Sequence, residues 1–273
     1  MPDNLMQQLI GLSLVNVMEL LAFGTVLLLL QWWLPARDGQ RAWDRSSALD
    51  LVYSFILTLS TPFFIIVPVT LVGWFVEAIP AVVQVRDSIV GDMPFYVQVV
   101  LAIVVVDVVG YWRHRMMHLR WLWPLHAIHH SSRRLDWLST ERFHILNHVI
   151  TATINIVVVQ LLFGQAVTAY SSIARRFYNL FIHANIRLDY GPLGYLLVSP
   201  RFHHWHHAVD AQARDKNFST FFSLTDLVFG TFHLPRDKSY PQAVGEPEHM
   251  PERFGAQFLY PFRAWGWLRT RAD

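Results

Sequence analysis

The sequence predicts an all-α, polytopic membrane protein of about four to five membrane-embedded helices, with a cytoplasmic helical cap holding a histidine-rich dimetal site. Three observations lead there. Of 273 residues, 53% are hydrophobic and only 15% charged, and the mean hydropathy is positive, which fits a soluble globular chain poorly. Apolar runs long enough to cross about 30 Å of hydrocarbon recur from residue 9 onward. Nine of the 14 histidines fall in two short windows, 114–130 and 203–207.

Composition also excludes. Cysteine is absent, so structural disulfides, thiolate metal sites and a cysteine nucleophile are all ruled out, and any metal must be held by nitrogen or oxygen. A formal net charge of +2 is too mild to point to nucleic acid. No linker, low-complexity tract or repeat divides the chain, which reads as a single membrane-embedded domain over 1–273 with a histidine-bearing core at about 94–232.

The first run, 9–34, ends on Trp32 and Trp33, aromatics suited to a membrane interface, and reads as a retained helix rather than a removed signal peptide. The second extends from Leu49 to about Val85 and is interrupted by Pro62, Pro68 and Pro80, as one kinked span or a span with a re-entrant end. A third, Pro94 to Tyr111, leads straight into the first histidines. The fourth, roughly His148 to Phe163, turns at Gly164, and a helix from about Ala166 returns to His183. Arg175 and Arg176 on that return face the protein interior or a wet cavity rather than lipid. Beyond Tyr190 the chain is polar enough for a cap, although 218–232 stays apolar and suits the interface. Arginines concentrate at 37–45 and 113–142, which places the histidines on the cytoplasmic face, with the cell inner membrane as the expected location.

His114 and His118 are spaced i, i+4 and leave one helix face. His126, His129 and His130 follow i, i+3, i+4, and His203, His206 and His207 repeat that pattern, with His204 about a hundred degrees round as the spare. His183 closes the returning helix at the same membrane level. Nine imidazoles from separate segments exceed the four to six ligands of one divalent ion and suit two. Unmetallated, so dense a set would repel when protonated and leave ring nitrogens unpaired when neutral.

Asp107 lies two turns below His114 on the same face, where a ligand histidine could donate its second N–H to it; pairing with Arg175 or Arg176 is the alternative. Asn185, Asp226 and Asp189 are weaker groups of that kind. His144 reads as a tenth ligand or an orienting group, and His148 stays outside the site. His233 and His249 read as solvated loop residues.

Asp107, Tyr111-Trp112, His114 and His118, then His126-x-x-His129-His130-Ser-Ser, Phe181-x-His183-x-Asn185, Pro200-x-x-His203-x-x-His206-His207, Asn217-Phe218 and Asp226-x-x-Phe229-Gly230-Thr231 together resemble the fatty acid hydroxylase/sterol desaturase superfamily. The likeness covers roughly 105–232. It implies an integral-membrane non-haem di-iron oxidase that acts on a lipid (fatty acyl, sterol-like or alkylglycerol) with O2 and electrons from a separate electron-transfer protein. The ligand role then falls on His114, His118, His126, His129, His130, His183, His203, His206 and His207, holding two Fe ions, with Zn possible in isolated protein. His204 stands where the family usually has another polar residue.

Breaking an unactivated C–H bond is beyond any side-chain acid or base, which agrees with a redox metal. Arg113, Arg115, Arg133 and Arg134 could dock an acidic electron donor or lipid head groups, or be loop charges only. The competing expectation is a zinc-binding membrane protein without oxygenase activity, a transporter or a structural member. Transport ligands sit near mid-membrane, whereas these clusters sit at span ends. A zinc hydrolase lacks its carboxylate base here, with no HExxH.

Overall fold

The computed structural model describes residues 2–41, 43–245 and 250–270; His249 lies outside them. Among the described residues the chain is helical, with no strands and two isolated bridges, Pro35 to Ile186 and Ala208 to Val244. Helix α1 (Pro2–Trp33) and α2 (Arg45–Glu77) are joined by the arginine-bearing loop, and α3 (Pro80–Val90) leads to α4 (Phe95–Met117). Then come α5 (Trp123–His130), a 3-10 turn at Trp137–Glu141, α6 (Ile145–Phe163), α7 (Gln165–His183), a second 3-10 turn at Gly191–Tyr195, α8 (Pro200–His206), α9 (Leu224–Val228) and α10 (Phe254–Thr270).

Among the described residues, four helices are long and apolar enough to cross a membrane: Asn4–Trp33, Arg45–Val76, Phe95–Met117 and Ile145–Phe163. Large apolar side chains point outward along the first two, among them Leu21, Leu29, Phe55, Val67 and Trp74, an outer surface that suits lipid and not water. The chain is an integral membrane protein.

The prolines of the second run act differently from one another. Pro62 and Pro68 sit inside α2, which continues through them to Glu77, as membrane helices tolerate. Pro80 ends the run instead: Ile79 before it is forced out of helical geometry, at φ −116° and ψ 86°, and Pro80 opens the separate α3. The helix pair α6 and α7 turns at Gly164, whose φ of +84° only glycine adopts cheaply.

Helices α1, α2, α4, α6 and α7 form the bundle. Leu27 of α1 packs on Leu180 and Ala184, and Ala102 and Val106 of α4 pack on Val159 and Val167 of the α6–α7 pair. Arg142 ties the cap to the bundle: fully buried, it donates to Asp50, to the Ser46 carbonyl at 3.0 Å and to Ser131 Oγ at 3.3 Å. It is therefore no free loop charge. Gly24 marks a close approach of α1 to the 3-10 turn, since a Cβ there would lie 2.5 Å from the Trp137 ring. Gly24→Ala is expected to lower stability by about 1–3 kcal/mol through overpacking, read as a lower melting temperature in detergent.

Candidate metal centre

The histidines meet where α4, α5, α7 and α8 converge. They form two groups whose ring nitrogens lie within 4.8 Å of one another in each: His114, His118, His126, His130 and His206; and His129, His183, His203 and His207. The two groups share a wall. His130 of the first stacks on His207 of the second at 4.4 Å, and His126 lies 5.3 Å from His129. The spacing seen in the sequence is realised unevenly, because α5 sends His126 and His130 to one group and His129 to the other.

In the first group four of the five rings turn Nδ1 outward to an acceptor, and the Nε2 atoms turn inward. His114 Nδ1 donates to the Phe218 carbonyl at 2.8 Å, His118 Nδ1 to Asp215 at 3.0 Å, His126 Nδ1 to Asn147 Oδ1 at 3.0 Å and His206 Nδ1 to the Lys216 carbonyl at 2.7 Å. With Nδ1 protonated, Nε2 carries a lone pair, a tautomer inferred from these partners. Yet His114 Nε2 and His126 Nε2 face each other at 3.0 Å, and the Nε2 atoms of His118, His130 and His206 are buried without a partner. Converging lone pairs that repel one another call for a cation among them. In the second group His183 donates Nδ1 to the Asn179 carbonyl at 2.7 Å, and its Nε2 lies 3.1 Å from His129 Nε2 and 2.9 Å from His203 Nε2. His203 Nε2 is also 3.1 Å from His207 Nε2. Both groups fit a metal bound by neutral imidazole.

Burial, and after it mostly the neighbouring imidazoles, holds His129, His130, His203 and His207 well below the ordinary histidine range; burial acts likewise on His126 and His206. All six are neutral at pH 7. A depressed folded-state value means the unfolded chain binds more protons, so stability rises with pH and is lost as pH falls below 6.5 toward the folded-state values. The metal-stripped protein is expected to lose about 1.4 kcal/mol per pH unit for each such ring. Melting of the chelator-treated protein from pH 7.5 down to about 5.5 checks this, and a flat melting temperature would contradict it.

A short segment supplies three of the outward anchors, Asp215, Lys216 and Phe218, of which the sequence singled out only Phe218. Asp215 and Asn217 take φ of +55° and +61°, conformations Asp and Asn tolerate, and so aim the intervening Lys216 carbonyl at His206. Phe218 packs edge-on to His114 and His118. Phe143 stacks on His129 at 4.1 Å. Only the nearby Asn217-Phe218 pair hinted at this loop.

Several of the remaining polar residues sit elsewhere than expected, whereas His148 and His204 stay outside the clusters as read from the sequence. Asp107 receives no histidine N–H and pairs with neither Arg175 nor Arg176. It accepts backbone N–H groups from Thr220 at 3.1 Å, Phe221 at 2.8 Å and Phe222 at 2.9 Å, because α4 carries it beneath the loop rather than beside a ring. Asp226 likewise takes Phe218 N and Ser219 N, each at 2.8 Å, and the Thr231 hydroxyl at 2.6 Å. Asn185 caps the α1 exit, with its Oδ1 accepting Arg37 N at 2.9 Å. His144 caps α6 through Nδ1, and its Nε2 donates to the Phe258 carbonyl at 3.1 Å, so both nitrogens are engaged away from the clusters. His204 is buried, donates to the Ala184 carbonyl at 3.1 Å and joins neither group. Asp189 pairs with Arg201 and Lys238, and His233 is half-buried against Trp205 rather than solvated. His148 lies outside the clusters, 2.8 Å from Thr61 Oγ1.

A cavity of about 480 Å³ runs from the clusters into the bundle. His114, His126, His129, His183 and His203 line one end, and α1, α2, α4, α6, α7 and the 3-10 turn at Trp137–Glu141 form most of the rest. Of the four arginines considered for docking, Arg113 lines this cavity and Arg134 is buried against Asp136 and near Asp44, so only Arg133 is well exposed.

Fold and site define a helical membrane protein with two adjoining imidazole clusters able to hold metal ions, opening onto an intramembrane cavity. Residues 99–231, the histidine-bearing segment of the chain, match the fatty acid hydroxylase family. An ornithine lipid hydroxylase of Rhizobium tropici is 31% identical over 171 residues, 62% of this chain and 51% of that protein. An alkylglycerol monooxygenase of Danio rerio is 32% identical over 161 residues, 59% of this chain and 36% of that one. A very-long-chain aldehyde decarbonylase of Oryza sativa is 27% identical, over 51% of this chain and 23% of that one. The chain thus spans about half or less of the length of these relatives. No solved structure matches it significantly.

Proposed function

We propose that the chain is a membrane-bound non-haem di-iron oxidase that hydroxylates or desaturates a lipid, using O2 and electrons from a separate donor. The observation that carries this reading is the pair of adjoining, all-imidazole groups with Nε2 atoms turned inward, at the end of a cavity inside a bundle of membrane helices. His114, His118, His126, His130 and His206 hold one ion, and His129, His183, His203 and His207 the other. Bound there, two iron ions supply the redox chemistry with O2 that an unactivated C–H bond demands.

The chain's own groups supply the rest. Outward Nδ1 bonds fix the tautomer and ring orientation of His114, His118, His126, His183 and His206, the loop at 215–222 holds three of those acceptors in place, and the bundle keeps bulk water from the reacting carbon. The ornithine lipid hydroxylase and alkylglycerol monooxygenase relatives support a lipid substrate, while the decarbonylase relative leaves the outcome of the reaction to experiment. The arginine-bearing α1–α2 loop supports a cytoplasmic site in the inner membrane, where an acidic donor protein could reach exposed Arg133.

Protein purified from iron-replete cells is expected to hold two equivalents of iron and to consume oxygen with a reductant and lipid extract. Lipid mass spectrometry of cells with wild type or His129→Ala should show a product only in the former. Tight stoichiometric zinc under those conditions, with no oxygen uptake, would instead establish a zinc-binding membrane protein.

A further inference from the structure

The cavity is unusually ionic for the inside of a membrane bundle. Glu19 and Glu141 face it, and both are committed to Arg176, at 3.3 Å and 3.6 Å; Arg176 also reaches the Asn16 carbonyl at 3.1 Å and Thr58 Oγ1 at 3.2 Å. Asp107, the remaining carboxylate in the wall, is taken up by three backbone N–H groups. Arg113 and Arg175 line the same space, and among the described residues no carboxylate lies within 4.0 Å of either. Arg113 Nη1 is buried and makes no hydrogen bond. The two guanidinium groups repel one another, and Asp107 for Arg113 and Glu141 for Arg175 offset that only from beyond salt-bridge distance.

Buried cations persist when something pairs with them, and ionisable groups inside a membrane bundle mark ligand paths. A guanidinium presents a planar fork of donors that matches carboxylate or phosphate oxygens. We infer that Arg113 and Arg175 form an anion-binding subsite at the histidine end of the cavity, which takes the carboxylate or phosphate group of a lipid substrate. The reacting carbon then lies a short way along the chain from that group, since Arg113 directly precedes His114 on α4. This last clause rests on the oxidase reading, whereas the subsite itself does not.

Binding tests it without turnover. The full chain in detergent is titrated, by protection against thermal unfolding, with a long-chain alkyl phosphate, the alcohol of the same chain length, and inorganic phosphate. The alkyl phosphate is expected to bind at least about tenfold more tightly than the alcohol. Arg113→Gln and Arg175→Gln should each reduce that advantage by about tenfold and leave alcohol binding unchanged, whereas Arg113→Lys, which keeps the charge, should retain part of it. Should Arg113→Gln fail to give a monodisperse protein, Arg175→Gln and Arg113→Lys decide the matter. Equal binding of alcohol and phosphate, an advantage that survives these Gln variants, or protection by inorganic phosphate equal to that by the alkyl phosphate would each overturn the inference. Absence of oxygen uptake would sink the oxidase reading while leaving this measurement intact.

Discussion

His183→Ala is expected to empty one metal site and leave the other filled. His183 is the ring around which the four-histidine group closes, with Nε2 atoms of His129 and His203 at 3.1 Å and 2.9 Å. Its removal leaves three imidazoles, whereas the five-membered group keeps every ring. Metal content should fall from two equivalents toward one, and lipid turnover by at least about 100-fold, beyond the loss usual for an outer-shell partner. The packing of α7 on Leu27 and Phe202 through Leu180 and Ile182 should keep the variant folded. His148→Ala is the control: it also removes a cavity histidine, one bonded to Thr61, and should keep both metals. Unchanged metal content in His183→Ala would mean that the four-histidine group holds none.

Asp226→Ala should have the next largest effect, although Asp226 touches no histidine. Fully buried, it satisfies two backbone N–H groups and one hydroxyl, and their loss strands buried donors at about 1–3 kcal/mol each. The freed segment is the one whose Phe218 carbonyl orients His114, so metal affinity should fall about 10–100-fold together with the melting temperature. Asp226→Asn keeps one acceptor oxygen and should fall between. A variant that melts lower yet binds metal as tightly as wild type would separate the loop from the site.

Much of this was legible in the sequence because helical periodicity converts spacing into direction. The i, i+3, i+4 runs at 126–130 and 203–207 announced shared faces, and the hydrophobic runs announced the spans. What periodicity does not carry is depth and azimuth between elements. It paired His129 with its neighbours on α5, whereas tertiary packing sends that ring to the other group. Asp107 illustrates the same gap: two turns below His114 it is on the correct face, but the loop at 220–222 crosses there and claims both oxygens. Carbonyl acceptors such as those of Lys216, Phe218 and Asn179 leave no mark in side-chain identity. Arg113 read as either a docking group or a loop charge because its place one residue before a cluster says nothing about which way α4 turns it.

Leaning three imidazoles on main-chain oxygens has an evolutionary corollary. Lys216 can drift to many other residue types without disturbing the carbonyl that His206 uses, as long as positions 215 and 217 still accept their left-handed turn. Comparing side chains at 216 among distant relatives would then overlook this support, and the constraint would surface instead as a bias toward Asp or Asn at 215 and 217, whose side chains also accept from His118 and the His233 N–H.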